Sequence, residues 1–248
     1  MNITRLDIEL TKYNVGLSGA IPDRKDWSEA AMDRAILEFV ALLSGIVFKY
    51  GGRIVHGCHP TFTPIILRQA RLHASLRVHK PVTLVMSELW AQDLEKSDIE
   101  AMTDIAEFII TPKVGDGGVE NIKTRNDSLS LMRRTLIDEQ NVMVAVGGKM
   151  HGEDGVVPGV AEEMAMAAEV AIPRFLVGGM GGYAQSLAGK LTPSSLNNGL
   201  SRDEDILLFG SNDVSASVNL IFQKLSSHSL KIKNAQVMRL KIRDVNKI

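Results

Sequence analysis

Six short apolar segments punctuate this chain: KYNVGLSG, RIVHG, PVTLVMS, AEFIIT, NVMVAVGG and RFLVGG. Stretches between them carry apolar residues at helical spacing. A strand buried on both faces reads as a continuous apolar run, and helices covering both faces of a parallel sheet produce such strands. Strands alternating with helices build right-handed βαβ units. The expected fold is therefore α/β and Rossmann-like, a mainly parallel sheet with helices on both faces.

Local signals place several helices. Asp26 and Glu29 have the spacing of a capping box, and Ile36, Phe39, Val40, Leu43 and Val47 follow at helical intervals toward a stop near Tyr50. Pro64 suits a first helical turn. Further helices are expected over DSLSLMRRTLIDE, after Pro158, and over DVSASVNLIFQKL.

The formal net charge of -1 over 248 residues argues against a nucleic-acid binder, and one cysteine excludes an internal disulfide. The charged start MNITRLDIEL is unlike a signal peptide, and no apolar run has the roughly 18 residues of a membrane span. A cytoplasmic protein without a membrane partner is expected. The tail from Lys224 is basic, with seven Lys or Arg against one Asp. Leu230, Ile232, Leu240 and Ile242 alternate there with polar residues, as in a solvated edge strand or a subunit contact, although a basic tail also suits nucleic acid.

Open parallel sheets bind ligands beyond the carboxyl ends of their strands. Ser18-Gly19, Gly57-Cys58-His59-Pro60, Gly147-Gly148 and Gly178-Gly179 each stand at such an end, whereas Gly51-Gly52 precedes its strand and belongs to the opposite edge. Any one of these pairs could be an ordinary turn; four on one edge suggest a nucleotide-type site. No GxGxxG follows the first strand and no GxxxxGK[ST] occurs, which excludes the usual dinucleotide dehydrogenases and P-loop NTPases.

Individual residues carry competing explanations. His56, Cys58 and His59 resemble metal ligands, yet no second ligand pair has zinc-type spacing, so no metal or other cofactor is expected. His59, before Pro60, is better placed to face a ligand. Of Arg133 and Arg134, one can complement a helix dipole while the other, with Arg133 favoured, reaches a phosphate. Lys149 and the loop residues His151, Glu153 and Asp154 lie between the fifth strand and the helix after Pro158. Of Glu162 and Glu163, one can stabilise the helix start and the other accept hydrogen bonds from ribose hydroxyls, or assist cleavage of a glycosidic bond. Backbone amides would serve phosphate and a glutamate the sugar.

The segments LSGAIPD, GGRIVHGCHPTFTPII, VGGKMHGEDGVVPGVAEE and FLVGGMGG, in this order, resemble the SLOG superfamily over about Tyr13 to Leu187. That group includes the Lonely Guy phosphoribohydrolases, the DNA-processing protein DprA, and the nucleotide-sensing domains of TRP melastatin channels and Thoeris antiphage effectors. The resemblance implies a Rossmann-like domain over residues 1–190 that binds a nucleotide or NAD-derived molecule such as ADP-ribose or a cyclic form. Residues 191–248 are then a C-terminal helix and basic tail, packed on that domain or forming a subunit contact.

PGVAEE looks like a divergent end of the Lonely Guy motif PGGxGTxxE. By that match Glu163 corresponds to the catalytic glutamate and Arg133 or Arg134 to the catalytic arginine. The longer loop GGKMHGEDGVVPGV departs from the motif and weakens the inference of a hydrolase. Two functions follow as expectations. One is a sensor working as a homo-oligomer with an effector protein or domain; the other is a nucleotide N-glycosidase using Glu163 and Arg133. The ligand contacts expected are Ser18, Gly19, His59, Pro60, Arg134, Gly147, Gly148, Lys149, Glu162, Gly178, Gly179 and Gly181.

Overall fold

The six apolar segments all form strands: β1 (Asn14–Ala20), β2 (Arg53–His56), β3 (Val82–Ser87), β4 (Ala106–Thr111), β5 (Val142–Gly147) and β6 (Arg174–Val177). The computed structural model describes residues 9–23, 28–74, 78–150, 157–227, 229, 230 and 232. The loop residues His151, Glu153 and Asp154, the expected cap Asp26, and Leu240 and Ile242 of the tail lie outside them.

Every strand pairing is parallel, and the order is β4-β3-β2-β1-β5-β6. The chain thus builds outward from β1 through β2 and β3 to β4, then returns to lay β5 on the other edge of β1. That reversal opens a crevice beyond the carboxyl ends of β1 and β5.

Among the described residues the helices are α1 (Ala30–Lys49), α2 (Thr63–His73), α3 (Glu88–Ala91), α4 (Lys96–Glu100), α5 (Ile122–Glu139), α6 (Gly159–Glu169), α7 (Gly182–Ala188), α8 (Arg202–Gly210) and α9 (Val214–Ser226). They cover both faces of the sheet. Val15 and Leu17 of β1 and Val142, Val144 and Val146 of β5 face the layer of α1, α2 and α9. Met143 and Ala145 face the opposite layer with Ile137 of α5, Met164 of α6 and Ala184 of α7. The alternation in β5 thus supplies both cores from one strand.

Three local expectations change. The first residue of α1 is Ala30, and its N-cap is Glu29, which makes no side-chain cap bond, so the helix starts later than the Asp26–Glu29 spacing indicates. α5 begins five residues earlier than the apolar pattern indicates, because the Asn121 side chain accepts the Thr124 N–H and caps it. Ser18 and Gly19 are still within β1, paired with Ala145 and Val146, and do not form a turn.

Gly51-Gly52 has a structural role at the edge away from the crevice. Gly51, at φ +80, and Gly52 donate their N–H groups to the carbonyls of Phe48 and Val47 and close α1 in a Schellman motif. Leu230 is buried against the core beside α9, and Ile232 packs on it.

Gly182 has φ +66, and a Cβ there would stand 2.5 Å from the Gly147 carbonyl carbon. Both strain and overlap oppose a side chain. Gly182→Ala is expected to lower the urea-unfolding midpoint, corresponding to about 2 kcal/mol or more; an unchanged midpoint would contradict the close approach of α7 to β5.

Candidate functional site

The carboxyl ends of β1, β2 and β5 and the start of α6 surround a cavity of about 680 Å³. Eight of the expected residues line it: Ser18, Gly19, His59, Pro60, Arg133, Gly148, Lys149 and Glu163. Glu162, Arg134, Gly147, Gly178, Gly179 and Gly181 do not.

β2 delivers a fixed pair of imidazoles. His56 is buried, its Nδ1 lies 2.9 Å from the Leu17 carbonyl oxygen, and its Nε2 accepts the His59 N–H at 3.2 Å. One ring nitrogen must donate and the other accept, which requires the neutral ring. Burial acts in the same direction and pushes the His56 pKa down to about 4.

His59 Nδ1 accepts the Thr61 N–H at 3.3 Å and lies 2.8 Å from the Thr61 hydroxyl, so Nε2 carries the proton of the neutral ring. Burial lowers its pKa, Lys149 lowers it further, and Asp23 partly opposes both. His59 therefore offers an N–H donor more readily than a charge.

Cys58 is held at φ 56, and burial pushes its thiol up to about 12, so it stays protonated. No group of three or more His, Cys, Asp and Glu among the described residues is placed to hold a metal ion.

α5 and α6 bring the charged centre together. Arg133 bonds Glu162 through Nη1, while its Nε stands 3.7 Å from Glu163 Oε1. The other Glu162 oxygen accepts the Ser130 hydroxyl at 2.5 Å. All three charged side chains are mostly buried, at 13% exposure for Arg133, 19% for Glu162 and 17% for Glu163.

Glu163 faces the cavity and has its pKa raised, first by burial and further by Glu162, against the lowering effects of Arg133 and Ser18. The Ser18 hydroxyl acts on Glu163 as a neighbour, but its buried Oγ closes no hydrogen bond of good geometry. This donor is therefore uncommitted.

Several assigned roles change accordingly. Glu162 is committed to Ser130 and Arg133, away from the cavity. Arg134 points outward to Glu169 at 2.8 Å, both of them exposed, and neither arginine lies in the last turn of α5. The Gly148 N–H donates to the Ala20 carbonyl at 2.7 Å. The N–H groups of Gly178 and Gly179 go to the Leu208 carbonyl, and that of Gly181 goes to Gly178. These glycines serve packing; a Cβ on Gly179 would lie 2.0 Å from the Ser211 carbonyl oxygen.

The positive pole is instead the start of α6. Pro158, Gly159 and Val160 line the cavity there, and the N-cap residue Pro158 makes no side-chain cap bond. Its first amides and dipole suit an anion, with Lys149 beside them.

The remaining wall is formed by residues that strand-end glycines do not signal. Trp90 follows β3, Glu120 precedes α5, and Arg125, Asn126, Leu129 and Met132 project from α5 itself. A usable signal existed: Arg125, Leu129, Met132 and Arg133 share one helical face.

The family profile described as SLOG cluster2 matches residues 10–206, and the chain belongs to that family. The match extends past the expected Leu187 limit into α8. A solved structure titled as TM1055, a structural genomics target, is 15% identical, with 85% of this chain and 99% of that one covered and a TM-score of 0.49. No curated protein matches the chain. No helix among the described residues is long and apolar enough to cross a membrane.

The histidine geometry fixes a pH response. The pKa of His56 lies at about 4 in the fold against an ordinary 6.5, so the unfolded chain binds the extra proton between those values. Its contribution is complete above pH 6.5 and is lost toward pH 4, on the order of 3 kcal/mol in full. His59 acts in the same sense. Glu163, raised above its ordinary 4.5, acts oppositely and loses its contribution as pH rises through the raised value. Urea midpoints of the wild type should fall from pH 6.5 to 4.5. His56→Gln, weaker at pH 7, should show a flatter slope, and an equal slope in both would refute the neutral buried ring.

Proposed function

We propose that the protein is a sensing module that binds a nucleotide- or NAD-derived ligand of the ADP-ribose type in the crevice between β1 and β5. The observation supporting this most directly is the meeting of three chemistries in one cavity. The start of α6 with Lys149 and the His59 N–H suits phosphate. Glu163 suits sugar hydroxyls. Trp90, Leu129 and Met132 suit the face of a base or the second half of a larger ligand. Arg133, bonded to Glu162 and 3.7 Å from Glu163, balances the carboxylate charge in this reading more than it contacts phosphate. Membership of a SLOG family supports a nucleotide-type ligand. Transmission to an effector protein or domain in antiphage defence or signalling, and assembly as a homo-oligomer, complete the proposal.

A second reading is favoured by one specific feature, the cavity-facing Glu163 with its raised pKa. A carboxyl group shifted in that direction is suited to acid–base work. In a nucleoside 5′-monophosphate N-glycosidase, the bond between base and C1′ breaks and water adds at C1′. Glu163 accepts the water's proton and passes it to the departing base nitrogen, so the base leaves neutral and the carboxylate is restored.

Incubation with AMP, other nucleoside monophosphates, NAD, ADP-ribose and cyclic ADP-ribose separates the two readings when melting temperature and products are followed together. A bound intact ligand at about a hundred times its Kd contributes about 2.7 kcal/mol, a rise of about 5 to 10 °C. Under the sensor reading Glu163→Gln weakens that ligand by about tenfold or more, because a charge-assisted hydrogen bond is lost. Under the enzyme reading free base accumulates, and the same substitution stops it. A protein that neither binds nor cleaves any of these molecules would rule out both.

A further inference from the structure

The charged centre contains two carboxylates and one guanidinium, and only one of the carboxylates faces the cavity. Glu162 holds Arg133 from the side away from the ligand space, and the Ser130 hydroxyl occupies its second oxygen at 2.5 Å. Arg133 Nε is buried without a hydrogen-bond partner, although Glu163 Oε1 is 3.7 Å away. A modest rotation of the guanidinium would close that contact. Gly159 leaves room for the present position, since a Cβ there would stand 2.7 Å from Arg133 Nη2. Two residues from two helices and one missing side chain thus keep the arginine off the carboxylate that meets the ligand.

We propose that Ser130 and Glu162 are positioning residues that draw the Arg133 guanidinium onto Glu162 and leave the Glu163 oxygens available to ligand hydroxyls. The consequence for the ligand rests on the nucleotide-binding reading given above; the placement of Arg133 itself does not. Removing either residue releases Arg133 to Glu163. The bond that forms takes up a carboxylate oxygen and favours the ionised form of Glu163. Loss of the Glu162 charge acts in the same direction, since that charge raises the Glu163 pKa.

The other groups around Glu163 remain in place. Ser18 lies beside it on β1. His56 and His59 stand at the end of β2, and Lys149 follows β5. Glu120 and Arg125 line the wall formed by α5 and its preceding loop. They are the same in wild type and Ser130→Ala, so that comparison isolates the effect of Arg133.

The experiment is a carbon-13 titration of glutamate carboxyl groups in the full chain, with the Glu163 signal assigned by its loss in Glu163→Gln. In Glu162→Gln the Glu163 midpoint is expected to fall by about one pH unit. In Ser130→Ala it is expected to fall by less in the same direction. If Glu162→Gln does not fold, Ser130→Ala, which removes one hydroxyl, decides the matter alone. A wild-type midpoint in a folded variant overturns the proposal, because purely structural residues would change melting temperature and leave this titration in place. The affinity for ADP-ribose should fall about tenfold in Glu162→Gln. A shifted midpoint in a protein that binds none of the nucleotides would uphold the positioning role and refute the nucleotide reading.

Discussion

β1 has a parallel partner on each edge and a helical layer on each face, so its last residues are where the chain's two halves diverge. α1 leaves β1 toward one layer, and β5 arrives beside it after the long excursion through β4. No side chain could be placed freely at such a junction. Gly19 lies against the Val146 carbonyl, where any Cβ would overlap. The crevice exists because sheet order reverses there, and the small residues of β1 keep it from filling.

Within that crevice the protein concentrates charge in a poorly hydrated place. An isolated buried carboxylate would be costly, and one guanidinium offsets part of that for two carboxylates at once. The arrangement is unequal by construction. Glu162 receives the direct bond and the serine; Glu163 receives distance and partial desolvation. Two neighbouring residues of the same type thereby acquire different chemistry through the face of α6 each occupies, a division that turns on helical geometry.

The strands and their order of appearance were legible because doubly buried strands leave apolar runs that little else produces. The edge on which the site forms was legible for the same reason, since a strand's carboxyl end follows from chain direction. Side-chain roles were less accessible. Glu162 and Glu163 are adjacent letters, and only the packing of α6 against α5 tells which one faces inward. Arg133 and Arg134 differ in the same way by about 100° of helix rotation. Gly178-Gly179 looked like a ligand loop because a glycine needed for close packing reads the same as one needed for anion approach. α8 escaped notice despite a legible signal, the Ser201 and Glu204 capping box, because its exposed Ile206 and Leu207 blur the amphipathic pattern.

The packing of α8 on the β6 turn also gives the site a direction. With Gly178 and Gly179 pressed against Leu208 and Ser211, the end of β6 is closed by backbone packing and lines no part of the cavity. Over β2 and β3, the described boundary is formed instead by side chains at Trp90, Glu120 and Asn126. Side chains can be exchanged without dismantling the sheet, whereas a backbone wall cannot. For the proposed ligand, the described wall that side-chain exchange can reshape is therefore that of α5 and the loop before it, while the β1–β5 half stays as it is.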